Sequence, residues 1–446
     1  MGPNDSAHLE ALRAATQRGA NIPPFERERV VSKARLLLID TIGCVLSGRS
    51  SQKVRHFEVA LGRADAGQFC FPKGPGLSTA AAASLAAMAS AWDEGCEGLP
   101  YAHGRPALAL IGALLALGVN RSVPLGDLID SLIAGYEVGA RAGGWLRIAP
   151  DMHVDGNWPA LGVAAGVGHL LGLTPLQRWN AMSIVACQMP ASLYLPIRTG
   201  DDARNTYPAH AAALGIQAAL ASEAGISAPE QAITDYARDR AHPDGRKAPA
   251  HDRWLILDSY FKPHAGVRHA HYGLEAALRI RRQLGVRTGR ISRARLRVYP
   301  EATVYAGNRN PRAAITAQFS LSLGVAAGLR FGAMAPDLFR DERLNDPELR
   351  RLEQLLEIDA VPEWGAERRR AAQLRVETDD GLVFEESVDA LPGDPEQPLT
   401  EDEVVEKFVR YGDSFLDRGA AERFCWTVLH APNDTDFAEL WRGHMG

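Results

Sequence analysis

Reactive side chains gather at five points along this 446-residue sequence, each at a turn between apolar segments. The densest is Lys262-Pro263-His264-Ala265-Gly266-Val267-Arg268-His269-Ala270-His271-Tyr272, with three histidines in eight residues. His264, Arg268 and His271 share one face of a helix that starts early in this run. That grouping suits acid/base chemistry beside a bound carboxylate better than metal binding. His-x6-His with no Cys or Glu nearby does not complete a ligand set. A histidine-rich helix start with a purely structural role is the alternative. The second point is Trp92 to Pro106, where Asp93, Glu94, Glu97, His103 and Arg105 either line a cleft mouth or form an ordinary charged turn with Pro106 in the next helix's first turn. In the third, His153 stands just before a helix start, where backbone N–H groups attract anions, or in an Asx turn at the surface. In the fourth, Arg198 and Arg204 flank Gly200-Asp201-Asp202, and guanidinium groups match carboxylates bidentately unless local ion pairs occupy them. In the fifth, Tyr305 precedes the turn-rich Gly307-Asn308-Arg309-Asn310-Pro311 and either donates a proton or is a partly buried aromatic.

Helices must deliver most of these groups. Apolar residues recur at helical spacing over Arg27–Leu46, and Ser78–Ala91 is apolar all round, which predicts burial among other helices. Ala107–Leu117, Leu125–Gly139, Pro159–Leu171, Pro175–Cys187 and Ala209–Ala224 continue the pattern. Asp235–Arg253 is charged, with Pro and Gly, and reads as a surface loop. Beyond it the texture changes. Gly266–Arg281 predicts a helix, Ile291–Tyr299 alternates as a strand, and Ala314–Phe331 predicts one continuous helix. Gln373–Thr378 and Leu382–Val388, joined through Asp380-Gly381, predict a β-hairpin. Thr400-Glu401-Asp402-Glu403 is a capping-box pattern before a final helical stretch. The expected architecture is mostly α: a large all-α helical domain over 1–263, a smaller α+β lid domain over 264–392, and a return to the helical domain over 393–446.

Composition narrows the function classes. A net charge of −5, 46% hydrophobic and 23% charged residues describe a soluble globular chain without the basic domain that nucleic-acid binding requires. The five cysteines are far apart, which argues against structural zinc, an iron–sulfur cluster and a disulfide framework. The stretch Met1–Arg18 is polar and lacks a signal-peptide core, and the apolar runs are too short to span a bilayer, so a cytoplasmic protein with no membrane partner is expected. Dinucleotide, nucleoside triphosphate and serine-hydrolase motifs are absent.

Several segments together resemble the MmgE/PrpD family. They are Asp40-Thr41-Ile42-Gly43-Cys44, the alanine-rich helix running into Trp92-Asp93, Gly135-Tyr136-Glu137-Val138, Leu170-Leu171-Gly172-Leu173 and Ala317-Gln318-Phe319-Ser320-Leu321. The resemblance spans nearly the whole chain and rests on the order and spacing of these motifs. It implies a helical domain with an α+β lid, a homodimer, and a cofactor-independent, metal-free active site in the cleft. The implied chemistry is proton abstraction or return next to a carboxylate of a small polycarboxylic acid. A 2-methylcitrate dehydratase-like lyase ranks first, then an iminodisuccinate-type epimerase, then a cis-aconitate-type decarboxylase. A catalytically silent scaffold is the non-enzyme reading. Family site positions fall on Asp93, His103, His153, His271 and Tyr305. A family lysine falls on Arg204 and a family threonine on Glu97, which implies a substrate with a different charge layout. On this reading His271 and His103 are the acid/base pair, and His153 and Tyr305 are donors or a second acid. Asp93 orients a histidine, while Arg204, Arg268, Arg198, Glu97 and Lys262 bind substrate.

Overall fold

Helix-forming stretches dominate, and 61% of the computed structural model is helical. It describes residues 3–238, 240–241, 247–367 and 369–445. Side chains that cannot bear water sort into two main cores. One takes residues from Leu12 to Phe261 and again from Leu399 to Met445, and the other takes Ala265 to Leu391.

In the first core, Pro24–Arg49, Thr79–Ala91, Ala107–Arg121, Leu125–Trp145, Pro159–Leu170 and Tyr207–Glu223 pack on one another. Ser78 caps the alanine-rich helix, its Oγ accepting from the Ala81 N–H at 3.1 Å. Small side chains let that helix press against its neighbours. A Cβ on Gly48 would lie 2.0 Å from the Ala89 carbonyl oxygen, so only glycine fits this crossing. The crossing fixes the exit of the helix into Trp92–Glu97, where candidate site residues begin.

The second core is a four-stranded sheet with helices on one face. The strands are β1 (Ile291–Val298), β2 (Leu356–Ala360), β3 (Ala372–Thr378) and β4 (Val383–Val388), in spatial order β2-β1-β3-β4. β1 runs parallel to β2, pairing Ala294 with Leu356, and antiparallel to β3, pairing Leu296 with Leu374. The predicted hairpin is β3–β4, with Leu374 opposite Glu386. Ala294, Leu296 and Val298 of β1 are buried, while Arg293 and Arg295 lie exposed and pair with Glu357 and Asp359 of β2. This is the period of two that a half-buried strand requires.

Two sequence expectations change. The helix expected over Ala314–Phe331 is two, Ala314–Gln318 and Leu321–Phe331. Ser320 interrupts it by capping the second, its Oγ accepting from the Leu323 N–H at 3.2 Å, and its own side chain donates to the Asn308 carbonyl at 2.6 Å. The expected loop over Asp235–Arg253 opens inside a short helix, Ala232–Ala237; positions 239 and 242–246 of that loop lie outside the described residues.

The chain crosses between the cores twice, and the crossings touch. The Phe261 N–H donates to the Gly393 carbonyl at 3.1 Å. Gly393 has φ of 92°, and a Cβ there would lie 2.0 Å from the Phe261 oxygen. Among the described residues no helix is long and apolar enough to cross a membrane.

Candidate active site

The turn after the alanine-rich helix is built around a buried carboxylate. Glu94 has φ of 53°, a left-handed conformation that costs a non-glycine residue and is held here by its side chain. Arg204 Nη2 donates to both Glu94 carboxylate oxygens at 2.8 and 2.9 Å, and Arg105 Nη1 ion-pairs with the same group. Lys262 Nζ donates to the Glu94 carbonyl at 2.7 Å. Arg105 also pairs with Asp155. Burial alone would raise the Glu94 carboxyl, but Arg105, Arg204 and Lys262 hold it well below the usual carboxylate range. Five charged side chains thus form a buried, hydrogen-bonded floor.

Above that floor lies a cavity of about 640 Å³ whose walls come from both cores. It is lined by His103, His153, Arg198, Lys262, Arg268 and Tyr305, all expected from the sequence. The lining also includes His269, Arg370, Glu301 and Tyr194, which the sequence reading passed over.

Four expected residues are not among the lining. Arg204 is fully buried and clamps a carboxylate of the chain itself, Glu94. Asp93 is buried on the far side of the same turn, accepting from Ser47 Oγ at 2.7 Å, with its carbonyl accepting from the Gly266 N–H. Glu97 is fully buried, and its Oε1 accepts from the Ala107 N–H at 2.8 Å, satisfying one of the free amides at the start of Ala107–Arg121. His271 packs edge-on to His264, and its Nε2 donates to the Ala265 carbonyl at 3.0 Å. The reason is where the helix begins. It starts at Arg268 rather than at Gly266, so His264 lies outside it, and His269 is turned toward the cavity. The only sequence signal for His269 was its place in the histidine run.

The cavity histidines have defined surroundings. His153 stands in a two-residue ladder, Met152–His153 against Ser192–Leu193. Its Nδ1 accepts from the Asp155 backbone N–H at 3.2 Å, so in the neutral ring the proton sits on Nε2. Burial pushes His153 down to about 4, with Arg204 and Arg105 adding to the shift and Asp155 opposing it. His269 Nδ1 lies 2.6 Å from the Tyr299 hydroxyl, and its ring stacks on Tyr305 at 5.4 Å. Burial pushes His269 down to about 3, and Arg370, Lys262 and His103 push the same way. Tyr194 closes the row, 6.1 Å from both the His153 and Tyr305 rings. A wall of four aromatic rings therefore joins a histidine of the first core to one of the second. His103 is exposed at the cavity, with φ of 48°.

The lining carries six cationic side chains (Arg105, Arg147, Arg198, Lys262, Arg268, Arg370) against three acidic ones (Glu94, Asp151, Glu301), while Asp155 and Asp394 behind it pair with Arg105 and Arg268, which leaves the wall on balance positive in a chain whose net charge is −5. A cleft of this kind focuses a positive field.

The sequence matches the MmgE/PrpD N-terminal domain over residues 18–238 and the MmgE/PrpD C-terminal domain over residues 264–429. The chain belongs to the MmgE/PrpD family. Similar characterised members include cis-aconitate decarboxylase of Homo sapiens, 24% identical over 363 residues, covering 76% of this chain and 74% of the relative. A cis-aconitate decarboxylase-like protein, oryM, of Aspergillus oryzae is 24% identical over 362 residues, covering 75% and 74%. Of the five site positions that the MmgE/PrpD resemblance implied, His103, His153 and Tyr305 line the cavity, and Asp93 and His271 do not. Arg370, in the run Arg368-Arg369-Arg370, was not among the residues singled out from the sequence.

Proposed function

We propose that this protein is a cofactor-independent lyase that removes a proton next to a carboxylate of a small polycarboxylic acid and eliminates water across the adjacent bond. The observation that carries this reading is a cavity lined by cationic side chains with two imidazoles on facing cores, His153 buried and His269 half-buried, both held toward the neutral form by their surroundings. Cationic side chains hold the substrate carboxylates and stabilise the enediolate that forms when the α-proton leaves. His269, neutral at working pH, accepts that proton. A bound polyanion raises the basicity of His269 through the same Coulomb interaction by which Arg370 and Lys262 lower it. His153 donates through Nε2–H to the developing oxyanion, as a neutral imidazole can. The electron pair of the broken C–H bond forms the double bond, and the β-hydroxyl departs as water with the proton returned from the His269 imidazolium.

The names of the two relatives favour a second reading, decarboxylation, in which the C–C bond to one carboxylate breaks, carbon dioxide leaves, and the electron pair left on carbon is stabilised by the remaining carboxylates and takes up a proton. An epimerase, in which the proton returns to the opposite face, uses the same groups. Incubation in D₂O with 2-methylcitrate, citrate, cis-aconitate and iminodisuccinate stereoisomers, followed by NMR, separates these outcomes. Vinyl signals from a hydroxy acid support the dehydratase. Loss of a carboxyl carbon, or interconversion of stereoisomers with deuterium uptake, replaces it with the decarboxylase or the epimerase. No change with any compound contradicts the enzyme reading and favours a silent scaffold. The proposal extends to a cytoplasmic homodimer, an environment that suits the five free thiols.

A further inference from the structure

The six cavity cations are not equally available. Arg105 is committed to Glu94 and Asp155, Lys262 to the carbonyls of Glu94 and Gly266, and Arg268 to Asp394 and the Pro392 carbonyl in the second crossover. Arg147 is exposed, and Arg198 is exposed and paired with Asp151. Arg370 differs. It comes from the segment leading into β3 and meets one carboxylate, that of Glu301, in the first turn of the helix Pro300–Tyr305. That contact uses only Nη2, which donates to Oε1 at 3.2 Å and Oε2 at 3.0 Å. Among the described residues Nε and Nη1 make no hydrogen bond, so neither two-nitrogen edge of the guanidinium is filled in the bidentate manner carboxylates prefer. The pair is also partly exposed, at 35% for Arg370 and 39% for Glu301, and such pairs contribute little and exchange readily. Both residues line the cavity, next to His269 and Tyr305.

We propose that Arg370 is a carboxylate-binding subsite of the cavity and that Glu301 is its internal placeholder, displaced when a substrate carboxylate takes the guanidinium edge. The inference rests on the polycarboxylate reading above and adds which group of the second core reads an anion in the cavity. Glu301 then limits affinity as well as holding Arg370 in place: the ligand competes with a tethered carboxylate, which selects for ligands able to offer a second and third carboxylate elsewhere in the cavity. A monocarboxylate cannot repay the exchange.

The test is calorimetric titration of the full chain with propane-1,2,3-tricarboxylate, which lacks a hydroxyl to eliminate, against acetate as the monocarboxylate. Arg370→Gln is expected to weaken tricarboxylate binding about ten- to hundredfold, with Arg370→Lys recovering part of it. Glu301→Gln is expected to tighten it about two- to fivefold, because the competitor loses its charge. Thermal melts confirm folding, and Glu301→Gln, which adds no buried charge, keeps the test valid if Arg370→Gln does not fold. An unchanged dissociation constant in Arg370→Gln overturns the subsite, and weaker binding in Glu301→Gln overturns the placeholder, because it would mean that Glu301 supports Arg370 without competing with the ligand's carboxylates. Tricarboxylate binding that survives Arg370→Gln but is lost in Arg268→Gln sinks this proposal alone. No binding by the unsubstituted protein sinks the polycarboxylate reading with it.

Discussion

A buried titratable group keeps the form that carries least uncompensated charge, and Glu97 shows what this does to a site reading. As a charged residue between Asp93 and His103 it suggested negative charge next to the substrate. Burial instead pushes its carboxyl up to about 8, with the Ala107 N–H and Arg105 only partly opposing that shift, so it is neutral at physiological pH. The folded protein therefore holds a proton that the unfolded chain releases near 4.5, and the stability from this group is full below that value and lost as pH rises through about 8. Glu97→Gln keeps an oxygen for the Ala107 N–H and removes the linkage. Its melting temperature is expected to fall less than that of the unsubstituted protein between about pH 6 and about pH 9. Equal slopes would contradict the neutral-acid assignment. The sequence shows which residues are reactive but not which way they face. His269 and His271 are two positions apart in one run, and only the exact start of the helix gives the cavity to the first.

The elements were more legible than the residues. Long apolar periods gave the helices of the first core, the D-G turn gave β3–β4, and Thr400 caps Glu401–Gly412 in a full capping box. β2 was not legible, because its Leu356-Glu357-Ile358-Asp359-Ala360 pattern is short and follows directly on a helix ending at Leu355. The break at Ser320 was hidden because the apolar period continues across it while one side chain switches from helix interior to cap. What the elements add to function is placement, and the Gly48–Ala89 crossing is the most stringent case. Gly48→Ala puts a methyl onto a carbonyl that has no room to give way. It is expected to cost about 1–3 kcal/mol by chemical denaturation and to lower activity by moving the Trp92–Glu97 turn. A substitution without effect on either would show that the crossing relaxes freely.

At the scale of the molecule, the two cores meet over a cavity that neither forms alone. The first supplies the Glu94 floor and His153, and the second supplies His269, Tyr305 and Arg370. Two crossings, clasped by Phe261, Gly393 and the Arg268–Asp394 pair, hold them together. The division into a helical body and an α+β unit could be anticipated from the change in sequence texture after Arg253. The facing of the walls could not, because it depends on contacts between residues far apart in the chain. The account stands on one assignment: the imidazole that moves the substrate proton is the cavity-facing His269 and not the buried His271. The most direct test is the rate of exchange of the α-hydrogen with solvent, read as release of an α-deuterium label from the accepted polycarboxylate into water, in His269→Gln and His271→Gln, each compared with the unsubstituted protein. A fall of about 100-fold or more in His269→Gln, with exchange largely kept in folded His271→Gln, is the predicted result. Exchange that persists in His269→Gln and disappears in a folded His271→Gln would contradict it.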